Sequence, residues 1–76
     1  METTDFIQNF ADQFEDTDAS VFTLETVFHE LDEWSSLVGL SIIAMIDDEY
    51  GVTIKGDELR AAKTVEDVFN LVKSKL

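Results

Sequence analysis

The chain contains no cysteine and no proline, and only three of its 76 residues are glycine. Without cysteine, neither a disulfide framework nor a thiolate zinc site can stabilise a chain of this length. Its stability must therefore come from the packing of a single core, and a chain this short is close to the lower limit at which one core suffices. An enzyme cleft is hard to build at this size, so we expect a binding or carrier module with no catalytic activity.

Positive charge is scarce and is confined to one end of the chain. Seventeen Asp and Glu outnumber five Lys and Arg, which gives a net charge of -12 at pH 7. Residues 1–54 hold thirteen of the acids and no Lys or Arg, whereas residues 55–76 hold the other four acids and all five basic residues. Such a surface repels phosphate backbones and anionic lipids, which argues against nucleic-acid and membrane-surface roles. It attracts basic protein partners, and plain solubility is the alternative explanation.

Long apolar runs are also missing. No stretch approaches the ~18 apolar residues of a membrane span, and the acidic start of the chain lacks the basic region of a signal peptide. We therefore expect no membrane insertion, a cytoplasmic location and a monomer. The hydrophobic content of 45% is typical of a globular protein. Because there is no internal repeat or linker, residues 1–76 are expected to form one domain.

Apolar residues recur at helical spacing near the start of the chain. The repeat of Ile7, Phe10 and Phe14 predicts an amphipathic helix over residues 4–15, capped by Thr3 or Thr4. The turn formers of residues 15–20 end it and open a long first loop. That loop carries apolar residues that a solvated segment would not need, and we expect them to cover the core: Val21, Phe22, Leu24, Val27, Phe28 and Leu31.

A second helix begins at Ser35 or Ser36 and ends before Gly51, a residue type that favours a left-handed helix stop. One stripe of this helix has the spacing of a core face, and it consists of Gly39, Ile42, Ile43, Ile46 and Tyr50. The opposite side is apolar where a free surface helix would be charged. We interpret that side as a partner-binding face, and it comprises Leu37, Leu40, Ser41, Ala44, Met45 and Asp48.

The last third of the chain predicts two more helices. Residues 56–62 can form a short third helix of about two turns. Thr64 caps a clear fourth helix, and Asp67 stands at the capping-box position. The segment Val52–Ile54 has no strand to pair with and is expected to be a loop. The sequence therefore predicts an all-α fold of three longer helices and one short third helix.

The segment from Asp32 to Leu40, followed by the segment from Glu49 to Ile54, resembles the Asp-Ser-Leu helix of acyl carrier proteins and its exit into an Ile-containing loop. The resemblance extends over nearly all of the chain. Ser36 aligns with the family's modified serine and is followed here by Leu37. Physical chemistry favours a phosphodiester at this place, because the free N–H groups and the dipole of a helix N-terminus stabilise an anion.

The resemblance implies a small four-helix bundle of the acyl carrier type and a function in fatty acid or related lipid or polyketide biosynthesis. Ser36 would carry a covalent 4'-phosphopantetheine, donated by coenzyme A, that holds acyl groups as thioesters. The implied partners are a phosphopantetheinyl transferase and acyl-processing enzymes with basic docking patches. The acyl chain is expected to tuck between the helices, lined by Ile42, Ile46, Ile54, Leu59, Ala62 and Phe69.

This chain departs from the family pattern beside the modified serine. Ser35 replaces the aspartate of the motif, and Val38 and Ser41 occupy positions that are often acidic in fatty-acid carriers. These departures indicate different partner enzymes and favour a specialised carrier. Asp32, Glu33 and the acids of residues 47–49 could supply replacement charge.

The spacing of residues argues against two other kinds of site, a nucleophilic triad and a calcium-binding loop. His29, Asp32 and Ser36 lie on one short segment without the Gly-x-Ser-x-Gly elbow of hydrolases, so a nucleophilic triad is not expected. Residues 16–20 begin like a calcium loop, but Val21 stands where Gly is required and Val27 where a bidentate Glu is required. We predict no metal site and interpret the acidic clusters as solvated surface, with loose divalent binding as the alternative.

A second function from a different class fits the same residues. An unmodified interaction module could keep this fold and use its acidic helix face to dock on a basic protein partner. The mass of the intact protein distinguishes the two, because only a carrier gains one arm from a phosphopantetheinyl transferase.

Overall fold

The computed structural model describes every residue from Met1 to Leu76 and contains four α-helices with no β-strand. The helices are α1 (Thr3–Ala11), α2 (Ser36–Tyr50), α3 (Gly56–Ala61) and α4 (Val65–Lys75). Two single turns of 3-10 helix, Ala19–Val21 and Phe28–Glu30, lie in the long connection between α1 and α2. The prediction of a small all-helical bundle with a short third helix is confirmed.

None of the helices combines the length and the apolar character needed to cross a membrane.

Helix α1 is shorter than its apolar pattern predicts, and the backbone amides at residues 15 and 16 bond to a distant carboxylate. After Ala11 the backbone tightens into 3-10 bonds, in which the amide of Phe14 donates to Ala11 at 2.9 Å. The amides of Glu15 and Asp16 then donate to the Glu33 carboxylate, at 2.7 and 3.0 Å, instead of to α1 carbonyls. The predicted cap is also wrong, since Thr3 is already helical and Glu2 at the cap position makes no side-chain bond.

Helix α2 has the predicted bounds. The Ser35 side chain caps it by accepting the amide of Val38 at 3.2 Å. At the other end Gly51 adopts φ 66°, ψ 25°, a left-handed conformation, and its N–H donates to the carbonyl of Asp47. Glycine enters this region without the steric cost that a Cβ imposes, so the stop is encoded locally.

Helix α4 begins with the predicted capping box. The hydroxyl of Thr64 accepts the amide of Asp67 at 3.2 Å, and the Asp67 carboxylate accepts the amide of Thr64 at 3.1 Å. The long first loop satisfies two further donors of this helix end, because the carbonyls of Thr26 and Leu24 accept the amides of Val65 and Glu66. These bonds hold the loop against α4, where Phe22 and Phe28 enter the core.

The core is one cluster of sixteen buried apolar residues, to which all four helices and both loops around α2 contribute. Its centre is aromatic. Phe10 contacts Phe6, Phe14, Phe22 and Phe28 with ring centroids 5.2 to 6.2 Å apart. The network continues from Phe28 to Trp34 at 5.1 Å, just ahead of α2. Of the loop residues expected to cover the core, Phe22 and Phe28 are buried, whereas Val21 is exposed.

Candidate functional site

The two adjacent serines at the start of α2 have different environments. Ser35 is extended, with φ -156° and ψ 168°, and its side chain is engaged in the cap. Ser36 is the first helical residue and is exposed. The amide of Val38 is bonded to the Ser35 side chain and that of Gly39 to the Ser35 carbonyl. The amides of Ser36 and Leu37, at the very end of the helix, have no intrahelical partner. The site thus offers a free hydroxyl beside two open backbone donors.

Ser36 lies on the rim of a groove of about 240 Å³ between α2 and α3. Helix α2 contributes Ser36, Gly39, Leu40 and Ile43 to this groove, and α3 contributes Gly56, Leu59 and Arg60. Trp34, just before α2, also lines it. Ser36 therefore faces a partly apolar cleft, which we call the α2–α3 groove.

The indole of Trp34 is positioned from both sides. A Cβ placed on Gly39 would lie 3.3 Å from Trp34 Cη2, so the absence of a side chain at Gly39 lets the ring approach α2 closely. On its other side Trp34 contacts the His29 ring at a centroid distance of 4.6 Å. His29 Nε2 lies 3.3 Å from the carbonyl oxygen of Leu59 and 3.1 Å from that of Ala62. Because both partners accept, Nε2 carries the proton and His29 ties the end of α3 to the loop before α2.

Arg60 is the cationic residue of the groove. Its Nη1 lies 3.4 Å from the position that a Cβ on Gly56 would occupy, so the guanidinium is folded back over the start of α3. The single ion pair within the chain joins Lys75 and Glu58, 2.9 Å apart, and Arg60 has no acidic partner. Sequence reasoning missed Arg60, because the pattern around it showed only a weak helix.

Of the six residues predicted to line an acyl chain, Leu59 lies on the groove. Ile42, Ile46, Ile54 and Ala62 belong to the core cluster, as Leu59 also does, and the first two are completely buried. Phe69 packs on Phe6, whose ring also contacts Tyr50, so it lies toward the far end of α2. On α2 the neighbour Ile43, and not Ile42, borders the groove. The lining of an acyl chain by these six residues stays a prediction.

The predicted partner-binding face of α2 is exposed except at one residue. Leu37 and Leu40 are the most exposed large apolar side chains on α2, at 76% and 62%. Ser41, Ala44 and Asp48 are exposed as well. Met45 was expected on this face, but it is only 8% exposed and belongs to the core. Helix α1 packs against α2, and Met45 borders a cleft shared with Asn9 of α1 and with Asp12 and Gln13 just after it.

Glu33 has a structural task that the sequence did not reveal. Its carboxylate accepts the hydroxyl of Thr17 at 2.6 Å in addition to the amides of Glu15 and Asp16. The hydrogen bond from Thr17, together with those amides, holds the pKa of the Glu33 carboxyl below its ordinary value. Because the carboxylate is engaged in this way, Glu33 is turned toward the first loop. We call this arrangement the Glu33 clamp.

No three carboxylate or imidazole side chains come together in an arrangement that could hold a metal ion. No protein-family model matches the chain, and a comparison with curated proteins likewise finds no match.

Proposed function

We propose that the chain is a freestanding acyl carrier protein of fatty acid or related lipid or polyketide biosynthesis, with Ser36 as the attachment point of 4'-phosphopantetheine. The observation that supports this proposal most is that the two adjacent serines have different roles at the start of α2. Ser35 takes the capping bond, which leaves the exposed Ser36 hydroxyl free to be esterified at the rim of a groove. When bound, the arm supplies a thiol that carries acyl groups as thioesters.

The residues around Ser36 fit a phosphodiester. Helix α2 has no acid in its first turn, so no carboxylate competes with a phosphate for the open amides of Ser36 and Leu37. Arg60 adds a positive charge on the same groove. Trp34, Leu40, Ile43 and Leu59 provide apolar surface beside them. The groove of about 240 Å³ is smaller than the ~300 Å³ at which pockets for drug-sized ligands begin, so it suits the part of an arm nearest to Ser36.

This carrier function makes the chain a substrate for other enzymes, and α2 provides the surface for them. Leu37 and Leu40 offer exposed apolar contacts next to Ser36. Asp47, Asp48 and Glu49 place negative charge at the other end of the same helix. A partner with an apolar contact and a basic patch would complement both ends, and charge attraction would raise its association rate.

The direct test is the mass of the intact protein after coexpression with a phosphopantetheinyl transferase. We expect the natural chain and Ser35→Ala each to gain one phosphopantetheine, and Ser36→Ala to gain none. A mass gain that survives Ser36→Ala would overturn the assignment of the site.

The second candidate is the unmodified docking module, and the exposure of Leu37 and Leu40 favours it as much as it favours a carrier. Such a module would bind a basic partner through α2 without an arm. An unchanged mass in all three proteins, with a transferase that loads another carrier in the same cells, would support this candidate and overturn the carrier proposal.

A further inference from the structure

Arg60 carries a positive charge that no acidic side chain of this protein pairs with. The chain has seventeen acidic and five basic residues, and Arg60 is its only arginine. The one ion pair that the chain forms uses Lys75 and Glu58, so the Arg60 guanidinium is left without an internal carboxylate. An unpaired guanidinium on a strongly acidic protein is available to an anionic ligand.

The position of Arg60 indicates which anion it would meet. Arg60 and Ser36 line the same small groove from opposite helices, α3 and α2. The guanidinium is folded back over Gly56, where the lack of a side chain leaves space for it. A phosphate esterified to Ser36 would be only one bond away from the serine oxygen, at the edge of this groove.

We propose that Arg60 binds the phosphate of the arm on Ser36 and so holds the first part of the arm against the α2–α3 groove. The inference rests on the proposed carrier function. Guanidinium groups match phosphate oxygens with paired N–H donors, and such charge-assisted bonds are stronger than neutral ones. The open amides of Ser36 and Leu37 would contact the same phosphate from the α2 side. Arg60 acts here as a positioning residue.

The single arginine makes the test specific, because the chain has one Nε–Hε resonance in a ¹H–¹⁵N NMR spectrum. The spectrum is recorded before and after a phosphopantetheinyl transferase loads the arm from coenzyme A, and the thiol of the arm is left unacylated so that no carried group contributes. The ³¹P resonance of the loaded protein is then compared among the natural chain, Arg60→Gln and Lys73→Gln. Lys73→Gln removes one positive charge from α4, which does not line the groove.

We expect the Nε–Hε resonance to shift on loading, and the ³¹P resonance to move in Arg60→Gln but not in Lys73→Gln. Arg60→Lys should give an intermediate ³¹P position, because it keeps the charge and loses the paired donors. An unchanged Nε–Hε resonance on loading, or the same ³¹P position in Arg60→Gln as in the natural chain, would overturn the inference while leaving the carrier function intact. A protein that gains no mass from the transferase would overturn both.

Discussion

Ser35 and Ser36 are chemically identical neighbours, but only Ser35 contributes to the stability of α2. Removing an N-cap hydroxyl costs about 1 kcal/mol, because a helix N–H loses its partner. We expect Ser35→Ala to lower the free energy of unfolding by about that amount and Ser36→Ala to change it by less than about 0.5 kcal/mol, as an exposed substitution does. Urea unfolding of the two apo variants measures the difference. Equal losses would show that the capping bond is not specific to Ser35.

The Glu33 clamp should make part of the stability depend on pH. The hydrogen bonds of Thr17, Glu15 and Asp16 lower the pKa of Glu33 in the folded chain below its ordinary value of 4.5. A carboxyl with a lowered folded pKa stabilises the fold above its unfolded pKa, and this contribution disappears as the pH falls through the folded value.

The variant Glu33→Gln isolates this contribution, because an amide cannot accept these bonds with a full negative charge. We expect Glu33→Gln to have a lower Tm than the natural chain at pH 7. The difference in Tm between the two proteins should become smaller as the pH falls below 4.5. Thermal melts of both proteins between neutral and acidic pH measure this difference. Glu30→Gln is the matched control, since its exposed side chain makes no such bonds. A difference in Tm that stays constant across the pH range would contradict the clamp.

Helix α2 ends at Gly51 because of backbone conformation alone, since no other residue lies within 4 Å of a Cβ placed there. A non-glycine residue in the left-handed region costs about 1–2 kcal/mol. We therefore expect Gly51→Ala to destabilise the chain by about 1 kcal/mol, which lowers the Tm by about 4–8 °C for a domain of this size. Gly56→Ala is the control, because Gly56 is helical with negative φ. Equal Tm values for the two variants would contradict this explanation of the helix end.

Substitutions on two sides of α2 should affect different properties, partner binding on the exposed side and stability on the buried side. Leu37 is 76% exposed and Met45 is 8% exposed, although both were predicted to lie on one partner-binding face. We expect Leu37→Gln to leave the Tm nearly unchanged and to lower kcat/KM for arm transfer by a phosphopantetheinyl transferase about tenfold, the loss of one strong interface contact.

Met45→Gln should instead lower the Tm, because its amide would be buried in the core at a cost of about 1–3 kcal/mol. Circular dichroism melts and transfer kinetics on the same samples separate the two effects. Unchanged kinetics in Leu37→Gln would show that this face does not contact the transferase.

The sequence predicts those elements whose ends are encoded within a few residues. Ser35 and Gly51 bound α2, and Thr64 with Asp67 starts α4, because a cap or a left-handed stop depends on nearby backbone groups. Helix α1 was predicted to run to residue 15 and ends at Ala11. The amide of Glu15, which the pattern placed in the helix, bonds to the Glu33 carboxylate together with the amide of Asp16, and no local pattern encodes such a distant contact.

For the candidate site too, the sequence predicts the local feature but not the features that depend on helix packing. Ser36 could be singled out from its neighbours in sequence. The groove beside it depends on how α3 packs against α2, which decides that Ile43 lines it and Ile42 does not. Arg60 gave no signal in sequence, because its importance arises only from sharing the groove with Ser36.

The whole molecule concentrates negative charge in a small volume. A net charge of -12 is held within a radius of gyration of 11.0 Å. Folding brings the acids closer together than they are in the unfolded chain, so repulsion opposes it. At 0.15 M salt the Debye length is about 8 Å, shorter than the molecule, and we expect sodium chloride added from low ionic strength to raise the Tm.

Melts in sodium chloride and sodium sulfate at matched ionic strength separate screening from the general stabilising effect of sulfate. If screening dominates, the two salts give the same Tm at low ionic strength, and sulfate becomes the more stabilising salt only at high concentration. A Tm that falls on the first addition of sodium chloride would contradict the repulsion argument.

Trp34 lies where the aromatic network meets the groove, and this position makes its fluorescence informative. Trp34 is the only tryptophan, and its ring joins Phe28 in the core to the cleft next to Ser36. Its fluorescence emission therefore reports on two processes with one unlabelled chromophore. Unfolding exposes the indole to water and moves the emission to longer wavelength. A molecule that settles in the groove changes the polarity around the same ring while the fold persists, so occupancy beside Ser36 can be followed in real time in a cuvette.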